Sequence, residues 1–353
     1  MNHEPMRTPA AETNPFLYRF AWFTAAATVL LICSGGMVTS KGVGLAVPDW
    51  PTTFGYNMFF FPVSKWVGGI FFEHTHRLIA SVIGFLTIIL ALWLWRSNVA
   101  RWIKTLGWAS LGAVVLQGVL GGLRVTLLKD EIGIFHACLA QAFFGLLVII
   151  ALATSPLWQR LARPAAVPSH RALAVFAIVI TGIIYGQLGL GATMRHQHRD
   201  LSIMDFPLAY GQIIPATDPA TIARINQARD AQALSDVTPG QIWLQMAHRF
   251  GAAIIGLTIG FFCFIVRRGD RTTPALGGLS SLWLGLVMVQ ITLGAWTIWS
   301  NKAADIATAH VAVGALTFAV GILVSAVLLR LRQGHERPRS ARLTTELEAV
   351  AAR

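Results

Sequence analysis

Glu73-His74-Thr75-His76-Arg77-Leu78-Ile79-Ala80 and Gln245-Met246-Ala247-His248-Arg249-Phe250-Gly251-Ala252 are two copies of one pattern, 172 residues apart. In each, a histidine-arginine pair stands inside a long apolar run, with an acid or its amide three residues ahead on the same helical face. Working outward, Gln117-Gly118-Val119-Leu120-Gly121 recurs as Gln290-Ile291-Thr292-Leu293-Gly294 at an offset of 173, and His136 recurs as His310 at 174. Pro48-Asp49-Trp50-Pro51 recurs as Met204-Asp205-Phe206-Pro207 at 156, so the segment ahead of the second histidine-arginine pair is longer by 16 residues. Matches at nearly constant offset are the signature of an internal repeat.

The composition says where such a repeat lives. Of 353 residues, 55% are hydrophobic and 12% charged, with a mean hydropathy of +0.60. Soluble domains carry about 25% charged residues. Apolar runs predict membrane-crossing helices over 20–40, 66–95, 102–126, 133–154, 172–193, 241–266, 276–299 and 304–331, each long enough for roughly 30 Å of hydrocarbon. The fold class expected is an all-α integral membrane protein of eight helices, arranged as two repeated four-helix bundles with pseudo-twofold symmetry. An even number of helices per half makes the repeats parallel, with the axis along the membrane normal.

The net charge of +12 does not point to nucleic acid, because the basic residues fall in alternate connections. Arg96, Arg101 and Lys104 join spans two and three, Arg160, Arg163 and Arg171 join four and five, and Arg267, Arg268 and Arg271 join six and seven. Arg330, Arg332, Arg337, Arg339 and Arg342 follow span eight, and Arg7 and Arg19 precede span one. By the positive-inside rule both termini and these connections are cytoplasmic in an inner membrane, or matrix-facing in a mitochondrion. The expected division is an N-terminal tail 1–19, a first bundle 20–154, a linker 155–171, a second bundle 172–331 with an outer loop 194–240, and a C-terminal tail 332–353. Span one lacks a small-residue cleavage site and reads as retained. Thr221 to Asp236, in the longer outer loop, reads as a short amphipathic surface helix. Cys33, Cys138 and Cys263 all lie in apolar stretches with no CxxC, which excludes a disulfide framework or a zinc site.

Four of the ten histidines occupy matched places: His76, His136, His248 and His310. All four lie on spans that start at the outer face, one to three turns in. Two imidazoles on facing helices of one bundle offer the opposed ligands that an iron porphyrin leaves open. Small residues at four-residue steps, Ala80 and Gly84, Ala252 and Gly256, and Gly314, leave flat room beside the rings. Arg77 and Arg249 are candidate partners of haem propionates. The plainer alternative is a set of interfacial histidines hydrogen-bonded between helices, disfavoured because intramembrane ionisable groups in repeat register mark function. A bare transition-metal site lacks further ligands at suitable spacing. His74 points to another face than His76, and His196 and His198 read as surface residues ahead of a haem-edge contact.

The halves are chemically unequal. Glu73 precedes His76 by three residues, whereas the matched position holds Gln245. Either Glu73 pairs with Arg77 at i+4, or the first half is a reactive site and the second a fixed redox site.

Taken in order, Glu73-His74-Thr75-His76-Arg77, Pro48-Asp49-Trp50-Pro51, Gln117-Gly118, His136, His248-Arg249 and His310 resemble the haem A synthase family of bacterial enzymes and the mitochondrial assembly factor. The resemblance covers about residues 18–331 and falls in a branch without outer-loop cysteine pairs, which puts a thiol-based electron route in doubt. It implies an oxidoreductase that converts the C8 methyl of haem O to a formyl group by successive hydroxylations with oxygen from water, for terminal oxidase biogenesis. It further implies that His248 and His310 ligate a haem b, that His76 and His136 hold the substrate haem O, and that Glu73 is the essential carboxylate. The partners implied are haem O, a haem O synthase and an electron acceptor, in a lipid membrane; a homo-oligomer stays open. The rival reading is a di-haem b electron carrier or quinone oxidoreductase that leaves haem unmodified, and a weaker one is a transporter with parallel repeats.

Overall fold

The structure, a computed structural model, describes residues 14–161, 171–197, 201–269 and 274–351, with side chains up to residue 331. Arg7, Arg163, His198 and Arg271 lie outside the described residues. Ten α-helices follow in chain order: α1 Pro15–Ser40, α2 Gly68–Arg96, α3 Arg101–Leu127, α4 Asp130–Ala153, α5 Pro156–Arg160, α6 Arg171–His196, α7 Pro219–Asp230, α8 Pro239–Gly269, α9 Pro274–Trp299 and α10 Ala304–Ala351. Among the described residues eight of them, α5 and α7 excepted, are long and apolar enough to cross a membrane, α10 over Ala304–Leu331. The chain is a multi-pass membrane protein.

Local chemistry sets the helix ends. Asn14 accepts from the Phe16 and Leu17 amides ahead of Pro15, so α1 starts five residues before the apolar run at 20. Asp218 caps α7 in the same way, with Pro219 next. The surface helix expected over 221–236 therefore runs over Pro219–Asp230. α6 continues to His196, three residues beyond the expected 193, and the helical backbone of α10 runs through most of the expected C-terminal tail.

The packing closes two rings of four. α1 packs on α2, α2 on α3, α3 on α4 and α4 on α1; α6 packs on α8, α8 on α9, α9 on α10 and α10 on α6. α10 touches α1 and α4, and α4 touches α6, which joins the rings. Burial follows from this. In α10, 67% of the spanning segment is buried, against 22% in α3 and α9, which turn large apolar side chains such as Val115 and Met288 outward. Close approach at the seam depends on small residues. A β-carbon on Gly145 of α4 would stand 2.7 Å from Cδ1 of Ile322 on α10. Arg195 at the end of α6 reaches across to the Gly36 carbonyl and the Ser40 hydroxyl of α1, and to the Ala307 carbonyl of α10 at 3.4 Å.

The segments 41–67 and 201–238 lie at the end of the bundle where α2, α4, α8 and α10 begin, and each is tied down by the same joint. Asp49 accepts from the Phe54 and Gly55 amides at 2.7 and 2.9 Å and from the Thr52 hydroxyl. Asp205 accepts from the Tyr210 and Gly211 amides at 2.8 and 2.9 Å. Both turns carry positive φ at two successive residues, 50° and 77° at Phe54-Gly55 and 52° and 77° at Tyr210-Gly211. Glycine suits the second place and the aspartate bonds hold the first residue there. Arg77 donates to the Asp49 and Thr52 carbonyls at 2.7 and 3.1 Å, and Arg249 to the Asp205 and Leu208 carbonyls at 2.7 and 2.8 Å. Trp50 then lies flat on α3, where a β-carbon at Gly122 would be 2.3 Å from its ring.

Burial raises the Asp49 pKa, but hydrogen bonds from Gly55, Thr52 and Phe54 outweigh it, so the group titrates below the ordinary carboxylate value. Its contribution is present above the unfolded pKa and is lost as pH falls through the lowered folded one. Asp49→Ala is expected to loosen the segment by about 1 kcal/mol at neutral pH, read as faster protease nicking within 41–67 in detergent. The difference from wild type shrinks in strong acid.

Candidate functional site

Each of the four matched histidines rests on a glycine of the neighbouring helix. A β-carbon built on Gly35 of α1 would stand 2.9 Å from Cε1 of His76 on α2, and one on Gly121 of α3 would stand 3.4 Å from that of His136 on α4. For Gly191 of α6 and His248 the distance is 3.3 Å, and for Gly294 of α9 and His310 it is 3.1 Å. The imidazoles therefore enter the two rings at the same depth, about two turns from the ends of their helices.

Three of these glycines follow a glutamine by four residues, which places both on one helix face. Gln117 donates to the His136 carbonyl at 3.0 Å, and Gln187 donates to the His248 carbonyl at 2.7 Å. The Gln290 carbonyl accepts from Nδ1 of His310 at 3.1 Å, and the Gln290 side-chain nitrogen lies 3.4 Å from Nε2. The repeat matches find Gln117 and Gln290 but miss Gln187. Its counterpart ahead of Gly35 is Leu31, and the spacing Gln-x-x-x-Gly, which also occurs at Gln141 and Gly145, was the signal. His76 thus sits on a glycine without a glutamine beside it.

The rings of His248 and His310 have centroids 6.4 Å apart and planes inclined by 67°. Imidazoles bound on opposite sides of one metal, at metal–nitrogen bonds of about 2.0–2.1 Å, place their centroids roughly 6 Å apart. In the other half, His76 and His136 are close enough to interact electrostatically. Nδ1 of His76, His136 and His248 and the side-chain oxygens of Gln117 and Gln290 are buried without a hydrogen-bond partner. Buried polar atoms are nearly always paired, so their clustering around both histidine pairs marks a ligand's place. Among the described residues no three His, Cys, Asp or Glu side chains converge as a metal site. Paired imidazoles suit a metal that brings its own equatorial ligands, and the residues fit an iron porphyrin in both halves. The small-residue stripes are used unevenly. Gly84 faces open space, whereas Gly256 and Gly314 are filled by Ile291 and by Gln290 with Leu188.

Glu73, 4% exposed, accepts from the Val47 amide at 2.9 Å and from Arg77 at 2.7 Å. The i+4 ion pair, weighed from sequence as the structural alternative to a reactive carboxylate, is present. Gln245 repeats the loop contact without charge, accepting from the Ile203 amide at 2.7 Å and donating to the Ile203 carbonyl at 3.0 Å. Arg77 and Arg249, read from sequence as propionate partners, spend donors on these joints instead; Arg77 also reaches the Val47 carbonyl at 2.9 Å. His74 is buried under the loop, 3.3 Å from the Thr53 hydroxyl and edge-on to Trp66 at 4.8 Å. His196 is 7% exposed, not a surface residue as expected. Because α6 runs on to include it, its ring lies against α4, where a β-carbon at Gly133 would be 2.6 Å from Nδ1.

Residues 18–322 match the profile of COX15-CtaA, the cytochrome oxidase assembly protein family. The chain belongs to this family. Similar relatives include the haem A synthase of Shouchella clausii, 24% identical over 295 residues, 81% of this chain and 88% of the relative. The haem A synthase of Geobacillus kaustophilus is 25% identical over 325 residues, covering 88% and 91% of the two chains. That of Halalkalibacterium halodurans is 31% identical over 205 residues, covering 56% and 65%. The stretch assigned to the cytochrome oxidase assembly protein family holds all four histidines, Glu73 and both loop joints.

The glycine cradles are testable against an internal control. Gly35→Ala, whose methyl meets His76, is expected to cost about 1–3 kcal/mol and to lower the melting temperature in detergent. Gly182→Ala, with nothing within 4 Å, is expected to be neutral or stabilising by up to about 1 kcal/mol. Equal shifts in the two variants would remove the cradle argument.

Proposed function

We propose that this protein is a haem A synthase, which oxidises the C8 methyl of haem O to a formyl group by successive hydroxylations with oxygen from water, for terminal oxidase biogenesis. Membership of the cytochrome oxidase assembly protein family and the relatives named haem A synthase support the activity. The observation that carries the division of labour is the unequal joint. Gln245 and Arg249 hold their loop without an acid, so a carboxylate at Glu73 is not needed to build the same structure. A buried charge in an apolar bundle is costly, and its retention beside one histidine pair points to chemistry there.

In this reading His248 and His310 would hold a resident haem b, which would supply one-electron transfer. His76 and His136 hold the substrate haem O, presenting its edge toward the end of α2 that bears Glu73. Each hydroxylation by water releases two protons and two electrons; the Glu73 carboxylate accepts one of the protons, its charge shared until then with Arg77, and the electrons pass to an external electron acceptor. The two four-helix rings are repeats about a pseudo-twofold axis along the membrane normal. The basic connections place both termini in the cytoplasm of an inner membrane, with the histidines toward the outer face.

Glu73→Gln is expected to keep the loop joint, as Gln245 does, and to retain haem binding while haem A formation falls by about 10²-fold or more. His310→Ala is expected to lose haem b. Both are read by extracting and chromatographing the haems of purified protein from a host that makes haem O. Wild-type rates in Glu73→Gln would end the proposed role of the carboxylate. Haem b alone in the wild type would replace the synthase with a di-haem electron carrier.

A further inference from the structure

A cavity of about 110 Å³ opens at the histidine end of the bundle, where the end of α1, the turn between α3 and α4, and the end of α6 meet. Thr39, Gly44, Arg124, Lys129, Asp130 and Arg195 are among its lining residues. Arg124 is the unusual one. Its guanidinium is half-buried between two bare stretches of backbone: β-carbons on Gly44 and Gly133 would stand 3.2 Å from Nη1 and 3.1 Å from Nε. No hydrogen bond or ion pair among the described residues ends on it; Glu73 and Asp130 act on it only through space. Arg77, Arg195 and Arg249 all donate to carbonyl groups. A guanidinium offers five donors in a planar fork shaped for a carboxylate, and leaving them unused in a half-buried place is unfavourable.

The position of the cavity names the carboxylate. Arg124 follows Gly121, the cradle of His136, by three residues, and Thr39 follows Gly35, the cradle of His76, by four. At 1.5 Å per residue the cavity lies roughly 5–6 Å beyond the level of the two imidazoles. A flat ligand held between these rings turns one edge toward it. The counterpart of Arg124 in the other half is Thr297, so this cation belongs to the first half alone. Arg195 and Lys129 add positive field, which exceeds the opposing charge of Asp130.

Resting on the reading of the first half as the haem O site, we propose that this cavity is its carboxylate subsite, with Arg124 pairing to a porphyrin propionate. Arg77, saturated by the loop, then serves the lid and not the substrate. The subsite orients the macrocycle: propionates toward α3 and α6 fix which methyl group faces Glu73.

The test uses full-length protein in detergent, in a His310→Ala background that disables the second haem site. It is titrated with iron protoporphyrin IX and with the dimethyl ester of the same porphyrin, following the absorbance of the bound haem. The diacid is expected to bind at least about tenfold more tightly than the diester, the scale of a charge-assisted hydrogen bond. Arg124→Gln is expected to erase that preference by weakening the diacid alone, and Arg124→Lys to restore part of it. An unchanged diester affinity in Arg124→Gln shows that the variant is folded. Equal affinities for diacid and diester in the unmodified background, or an undiminished preference in Arg124→Gln, overturn the inference while leaving the haem site in place. If that background binds neither porphyrin, the reading of the first half as a haem site falls, and the subsite with it.

Discussion

The histidine-arginine dipeptide on α2 and on α8 is the constraint from which the rest of the site follows. Neighbouring residues on a helix point about 100° apart, so when the imidazole faces the ring interior the guanidinium is directed along its rim. There it meets the carbonyls of a loop whose turn cannot bond them internally: Asp49 and Thr52 in one half, Asp205 and Leu208 in the other. An arginine in an apolar bundle needs acceptors, and loop carbonyls near lipid need donors. Each satisfies the other, and the result is a fixed lid over a half-buried histidine.

Identical joints make the chemical differences between the halves easier to interpret. Where a glutamine and an arginine hold the second lid, the first lid uses a glutamate ion-paired to its arginine, a negative charge that the second lid is built without. Arg124 is the complementary case, a positive charge with no hydrogen-bond or ion-pair partner among the described residues, matched by Thr297 in the second half. Both departures occur around His76 and His136, and both carry charge. The histidine pair that departs from neutrality is the one suited to reaction; the pair His248 and His310, at 6.4 Å and lined by neutral amides, is suited to holding a metal in one geometry.

Packing between the halves explains why the site is not simply two copies. α10 is the most buried span and serves the apolar cores of both halves, with Ala315 and Ala319 in the first and Phe318 and Val324 in the second. Arg195 crosses this seam to α1 and α10 and brings the end of α6 into the cavity wall of the first half. The cavity beside the first histidine pair is therefore walled in part by the second half of the chain.

Much of this was legible in the sequence, for a physical reason. Hydropathy sets which segments enter the bilayer, since lipid admits only apolar helices with internally satisfied backbones, and repeat offsets align His76 with His248, Glu73 with Gln245 and Asp49 with Asp205. Those properties are local or one-dimensional. The direction of a long side chain is neither. Arg77 and Arg249 were read as propionate partners, and only the folded path of residues 47–52 and 203–208 turned them to the loop. His196 read as a surface residue until three more residues of α6 carried it against Gly133. Gln187 had no repeat partner to reveal it, and nothing in the pattern singles out Arg124, which neighbouring helices surround without an acceptor among the described residues. The sequence by itself determined the eight spans, the matched histidines and the glutamate that breaks the match. Only the tertiary structure decided which charges are already satisfied and which remain for a ligand, because satisfaction depends on distances between segments more than a hundred residues apart.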